Sequence, residues 1–108
     1  MDPLFAHPVE RELARIFDEL GIPWEYEPTT FVLEQAEDGT VLEAFTPDFY
    51  LPEQDIYVEC TTMRQKLTTR KNRKLRKLRE QGVLVTVLYR RDFERLRSRH
   101  GFPFEIAA

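Results

Sequence analysis

The 108-residue chain predicts a small single-domain α/β fold: a mixed sheet flanked by helices, in the order α-β-β-β-α-β with a further helix behind. Three observations predict it. Segments with helical spacing of apolar residues alternate with runs rich in aromatic and β-branched residues. An Asp38-Gly39 pair between two strand-like segments marks a hairpin, and so antiparallel pairing. A continuous apolar run, Val83 to Tyr89, suits a strand covered on both faces and paired in parallel with a neighbour. Hydrophobic residues make up 42% of the chain, enough for one two-layer core at this length and too little for a second domain. Residues 1–108 therefore read as one domain.

The elements follow in order. Pro8 opens a first helix, where a missing N–H costs nothing, and Val9, Leu13, Ile16, Phe17 and Leu20 keep helical spacing up to Gly21 as its C′ residue. The segment from Ile22 to Ala36 reads as one or two strands broken at Pro28, with Trp24, Tyr26 and Phe31 as core or sheet-face packing. Phe31–Ala36 and Val41–Tyr50 are expected to pair across the Asp-Gly turn. A turn at Leu51–Gln54 leads into a third strand, Asp55–Thr61. Residues 68–81 read as a helix with Thr68 or Thr69 as its N-cap and Gly82 beyond its end. Asp92–His100 gives a short last helix with Phe93 and Leu96 inward, and Phe102–Ile106 a final edge strand.

Composition excludes several classes. No apolar stretch reaches the 18 residues of a membrane-span candidate, and the first residues lack the basic and apolar regions of a signal peptide. Cys60 is the only cysteine, so no intrachain disulfide forms. Zinc-ligand spacing, a Gly-rich phosphate loop and a Ser-His-Asp pattern are missing, and His7 and His100 have no partner pattern. A cytoplasmic protein without a membrane partner is the expectation. The formal net charge of −3 hides an asymmetry. Residues 1–63 hold fifteen acids against Arg11 and Arg15, whereas residues 64–108 hold fourteen Lys and Arg against four acids. Nine of those cations fall in the acid-free run Arg64–Arg79. They repel one another unless a polyanion, or the acidic half of the chain or of another subunit, neutralises them.

The chemistry concentrates between Phe45 and Thr61. Asp48 follows Pro47, and Glu59 lies eleven residues later in an alternating strand. Alternation puts Ile56, Val58 and Cys60 on one face and Tyr57, Glu59 and Thr61 on the other. A carboxylate on a central strand is costly to desolvate alone, and a divalent cation shared with Asp48 removes that cost. A hard ion such as Mg2+ is held by one or two carboxylates and keeps waters that can meet a phosphate. Cys60 itself reads as a small buried hydrophobe.

These residues resemble the PD-(D/E)XK nuclease superfamily. Pro47-Asp48, a hairpin spacer and Glu59-Cys60-Thr61 match its motif, and Glu10-Arg11-Glu12-Leu13 with Gly21-Ile22 is similar to the opening helix of archaeal Holliday-junction resolvases. The likeness covers about residues 8–90 and implies a restriction-endonuclease-like core that hydrolyses phosphodiester bonds with Mg2+ or Mn2+. It favours DNA over RNA. It implies a metal site of Asp48, Glu59, the Cys60 backbone carbonyl and a first-helix glutamate, which maps onto Glu10 with Glu12 as the alternative. Thr61 stands where the family has its lysine and cannot supply a positive charge. Some branches recruit that lysine from the next helix. Lys71 lies about 40° from Leu75 in helical projection, toward Leu78, and is the first choice, with Lys66 the second.

Arg64, Lys66, Arg70, Arg73, Lys74 and Lys77 are the expected nucleic-acid contacts. Two rivals accompany the nuclease reading. One is the same fold binding DNA without cleaving it, and the other is an interaction domain whose basic helix docks on protein acids. A homodimer or a separate specificity partner fits a chain this small.

Overall fold

The computed structural model describes residues 4–61 and 69–99, apart from the side chains of Thr69 and Arg99. It is a mixed α/β fold with a mixed sheet flanked by helices. Helix α1 spans Pro8–Glu19, and strands β1 to β5 span Glu25–Tyr26, Phe31–Gln35, Val41–Phe45, Phe49–Leu51 and Ile56–Thr61. Helix α2 covers Thr69–Glu80 and strand β6 Val85–Tyr89. A 3-10 turn at Arg90–Asp92 leads into α3, Phe93–Arg99. Among the described residues no helix is long and apolar enough to cross a membrane. Thr68, Arg64, Lys66, His100 and the expected strand Phe102–Ile106 lie outside the described residues.

Both long helices end for the same physical reason. After α1, Gly21 adopts φ +70°, and the N–H groups of Gly21 and Ile22 close onto the carbonyls of Asp18 and Phe17. After α2, Gly82 adopts φ +88°, and Gly82 and Val83 close onto Arg79 and Leu78. Each is a Schellman end, which satisfies orphan carbonyls and requires a left-handed residue that glycine reaches without a Cβ clash.

The main sheet runs β1-β4-β5-β6. β4 pairs with β5 antiparallel, Phe49 opposite Val58, and β5 pairs with β6 in parallel, Glu59 opposite Val87. Period-two alternation then sorts the side chains. Phe49, Leu51, Ile56, Val58, Cys60 and Leu88 meet α1 and α3 in one core. Tyr57, Val85 and Val87 meet Leu75 and Leu78 of α2 on the other face, where Phe31, Leu33 and Phe45 also pack.

One expected strand is two. Val41–Tyr50 does not run through as half of a hairpin: β3 ends at Phe45, and β4 begins at Phe49 in a different sheet. Pro47 has no N–H for the ladder and biases Thr46 away from freely chosen geometry, so the chain leaves the β2–β3 hairpin there and crosses to the main sheet. Five strands, not three, therefore precede α2. The hairpin forms a two-stranded sheet of its own and docks on α2. That docking is ionic as well as apolar. Arg73 pairs with Glu43 at 2.6 Å, Lys77 bridges Glu34 and Glu43, and the Lys74 ammonium donates to the Ala44 carbonyl.

Candidate metal centre

The break at Pro47 places the first carboxylate. With the ladder interrupted, the Asp48 N–H points across to β5 and donates to Glu59 Oε1 at 3.1 Å. Asp48 Oδ2 in turn accepts from the Cys60 N–H at 2.9 Å and from the Cys60 thiol at 3.4 Å. The two acids are thus locked together by reciprocal side-chain-to-backbone bonds across the β4–β5 hairpin. Glu10 comes from the first turn of α1, where the positive end of the helix dipole favours a carboxylate. Its Oε1 accepts from the Tyr26 hydroxyl at 2.6 Å and the Ala6 N–H at 3.1 Å.

All three acids are buried, with Glu10 3%, Asp48 8% and Glu59 6% exposed. Carboxylates are almost never this deeply buried unless paired. Lys71 supplies one pairing: its ammonium, reaching in from the start of α2, lies 2.7 Å from Glu59 Oε2. Glu10 Oε1 and Asp48 Oδ2 are the oxygens that accept these bonds. These groups, with Val9, Glu27, Cys60 and Thr61, line a cavity of about 340 Å³. A ligand atom from each of Glu10, Asp48 and Cys60 lies within 4.8 Å of the others, so this buried group could hold a metal ion. The expected Glu59 is not in that compact group, its two oxygens being engaged by the Asp48 N–H and Lys71.

The electrostatics of the cavity are those of an unbalanced negative charge. Asp48 has its pKa pushed up to about 8, first by burial and next by the Glu59 charge. The Cys60 N–H pulls the other way, and Glu10 adds to the rise. Burial, then the Asp48 charge, pushes the Cys60 thiol up as well, so it stays protonated and donates. The set therefore offers carboxylate oxygens, which suit hard cations, rather than a thiolate, which suits soft ones.

The remaining expected residues divide. Glu12, the alternative to Glu10, pairs with Arg90 instead, at 3.4 Å. Thr61 is buried in the cavity wall. Arg70 is exposed and, with Lys71, Lys74, Phe45 and Glu59, lines an adjoining groove of about 500 Å³. Arg73 and Lys77, expected on a nucleic-acid face, are spent on the hairpin acids. Their long stems span from α2 to Glu43, whose side chain is largely covered. Three residues at the site went unread as such in the sequence: His7 and Glu27 line the cavity, and Tyr26, expected only as packing, donates to Glu10. Tyr26 sits in a two-residue strand too short for any periodic signal, and Glu27 follows it at φ +46°, a left-handed conformation uncommon outside glycine. Pro28, the residue after Glu27, is the only local sign of irregular backbone.

Comparison with known proteins adds no family: no family model, no curated protein and no solved structure matches this chain.

Proposed function

We propose that this protein is a metal-dependent endonuclease of the PD-(D/E)XK type, with a restriction-endonuclease-like core. The observation that carries the reading is the Lys71–Glu59 pair inside the buried acid cluster. A lysine from the helix after the motif strand stands beside the motif glutamate, while the motif position itself is Thr61. The topology supports the same reading, because α1, the antiparallel β4–β5 pair and the parallel β5–α2–β6 unit follow the expected order. The β2–β3 hairpin, expected within that core, instead forms a sheet of its own.

Asp48, Glu59 and Glu10 would hold the ion, Mg2+ or Mn2+, with the Cys60 backbone carbonyl as a further donor. A bound divalent ion lowers the pKa of a coordinated water and polarises a phosphoryl oxygen. The chain's own groups do the rest. Lys71 stands where a cation offsets charge developing on the phosphate or orients the attacking water, and Arg70 and Lys74 extend positive charge along the groove for the flanking phosphates. DNA is the proposed substrate.

A second reading, nucleic-acid binding without hydrolysis, draws on Thr61 at the usual lysine position. Nicking of supercoiled plasmid in Mg2+ or Mn2+ by wild type, Lys71→Ala and Lys71→Arg separates the two. The nuclease reading expects nicking by wild type and its loss, by about 100-fold or more, in Lys71→Ala. Retained nicking in Lys71→Ala would move the cationic role elsewhere. Metal-independent DNA binding with no nicking by wild type would favour the binding module.

A further inference from the structure

Tyr26 packs like a core aromatic, yet its hydroxyl is aimed at the acid cluster. The ring lies 4.8 Å from Phe5 and 5.6 Å from Phe49, centroid to centroid, both edge-on. The hydroxyl donates to Glu10 Oε1 at 2.6 Å and accepts from the Ala6 N–H at 3.1 Å, which also reaches Glu10 Oε1. Oε1 thereby accepts two bonds, and Oε2 is the oxygen that these bonds do not use.

The same two-residue strand also holds the sheet side of the site. Tyr26 pairs with Phe49, the residue after Asp48, and the next N–H, that of Glu27, donates to the Asp48 carbonyl at 2.8 Å. One short segment therefore touches Glu10 from the helix layer and Asp48 from the sheet layer.

We infer that Tyr26 is a positioning residue of the metal centre, holding Glu10 by Oε1 so that it offers a single oxygen, Oε2, toward Asp48. The inference rests on the proposed reading of the cluster as a metal centre. It has a general physical basis, since donors behind a ligating carboxylate fix its orientation, and removing such a partner typically weakens metal binding by about 10- to 100-fold. Burial, and then the hydrogen bond to Glu10, raise the Tyr26 pKa far above neutrality, so the hydroxyl remains a donor across any working pH.

The test is the Mn2+ dissociation constant by calorimetry, with no substrate present. Tyr26→Phe keeps the ring and removes the donor, and is expected to raise that constant about 10- to 100-fold. In a Glu10→Gln background the same substitution is expected to add nothing, because the carboxylate it positions is gone. Tyr50→Phe is the control. It removes another hydroxyl-to-carboxylate bond, 2.7 Å to Asp55 outside the cavity, and should leave Mn2+ affinity unchanged. A thermal melt in EDTA separates positioning from mere packing, since a structural role would lower the Tyr26→Phe midpoint without requiring Glu10. Mn2+ binding that is indifferent to Tyr26→Phe, or a loss that persists in Glu10→Gln, overturns this inference alone. A wild type that binds no Mn2+ overturns the metal centre and this inference with it.

Discussion

At Asp48 burial and like charge act in the same direction. Its folded pKa is raised from 3.8 to about 8, so the folded state holds a proton that the unfolded chain has released. Between those values stability must fall as pH rises, because the unfolded state binds fewer protons there. In metal-free protein, Asp48→Asn should flatten this decline, giving a smaller difference in denaturation midpoint between pH 5 and pH 8 than wild type shows. Equal slopes in the two proteins would mean that Asp48 titrates normally. A cation in the cavity should remove the same penalty, so Mn2+ should stabilise wild type more at pH 8 than at pH 5. The adjacency of Asp48, Glu59 and Lys71 was legible in the sequence, since hairpin spacing and helical projection are geometric rules that local residues obey. Tyr26 was not legible. Its role depends on a contact sixteen residues back, through a strand of only two residues.

The elements show the same division between what is local and what is not. Gly21 and Gly82 announced the helix ends because a left-handed C′ residue is a local requirement. Gly82→Ala should cost about 1–2 kcal/mol in denaturation experiments, since an L side chain is strained at φ +88°. An unchanged midpoint would contradict the Schellman assignment. The expected strand across Pro47 failed for a local reason and a non-local one: Pro47 has no N–H for the ladder, and the main sheet, not the hairpin, offered Phe49 and Leu51 a fully buried position. The hairpin is instead fastened by Glu43 between Arg73 and Lys77. The Lys77 hydrogen bond, then the Arg73 charge, lowers the Glu43 pKa below 4.5. Its contribution is thus present above that value and lost as pH falls through the depressed one. Glu43→Gln should destabilise the protein at pH 7 and make little difference near pH 2. A destabilisation that is the same at both pH values would assign the effect to packing.

For the whole molecule the charge asymmetry has two destinations. The sequence counts nine cations between Arg64 and Arg79 and leaves open whether a polyanion or an acidic half of a chain neutralises them. The fold turns Arg73 and Lys77 onto the acidic hairpin and leaves Arg70, Lys71 and Lys74 along the groove beside the acids. Composition alone could not make that partition, because it depends on which strand lies against α2. The salt dependence of DNA binding reads it out. With Arg73 and Lys77 held by the hairpin, at most seven of the nine reach phosphates, a slope of log affinity against log salt of about −6, whereas all nine would give about −8. The fold predicts the shallower slope.

The central claim is that Asp48 and Glu59 hold a metal ion that hydrolyses a phosphodiester bond. It is tested most directly by cleavage of supercoiled plasmid by wild type and Asp48→Asn, each with Mg2+ and with EDTA, once both are shown to be folded. The account predicts cleavage by wild type with Mg2+ only, and none by Asp48→Asn under either condition. Cleavage that survives EDTA or the Asp48→Asn substitution, or a folded wild type inert with Mg2+ and with Mn2+, would contradict it.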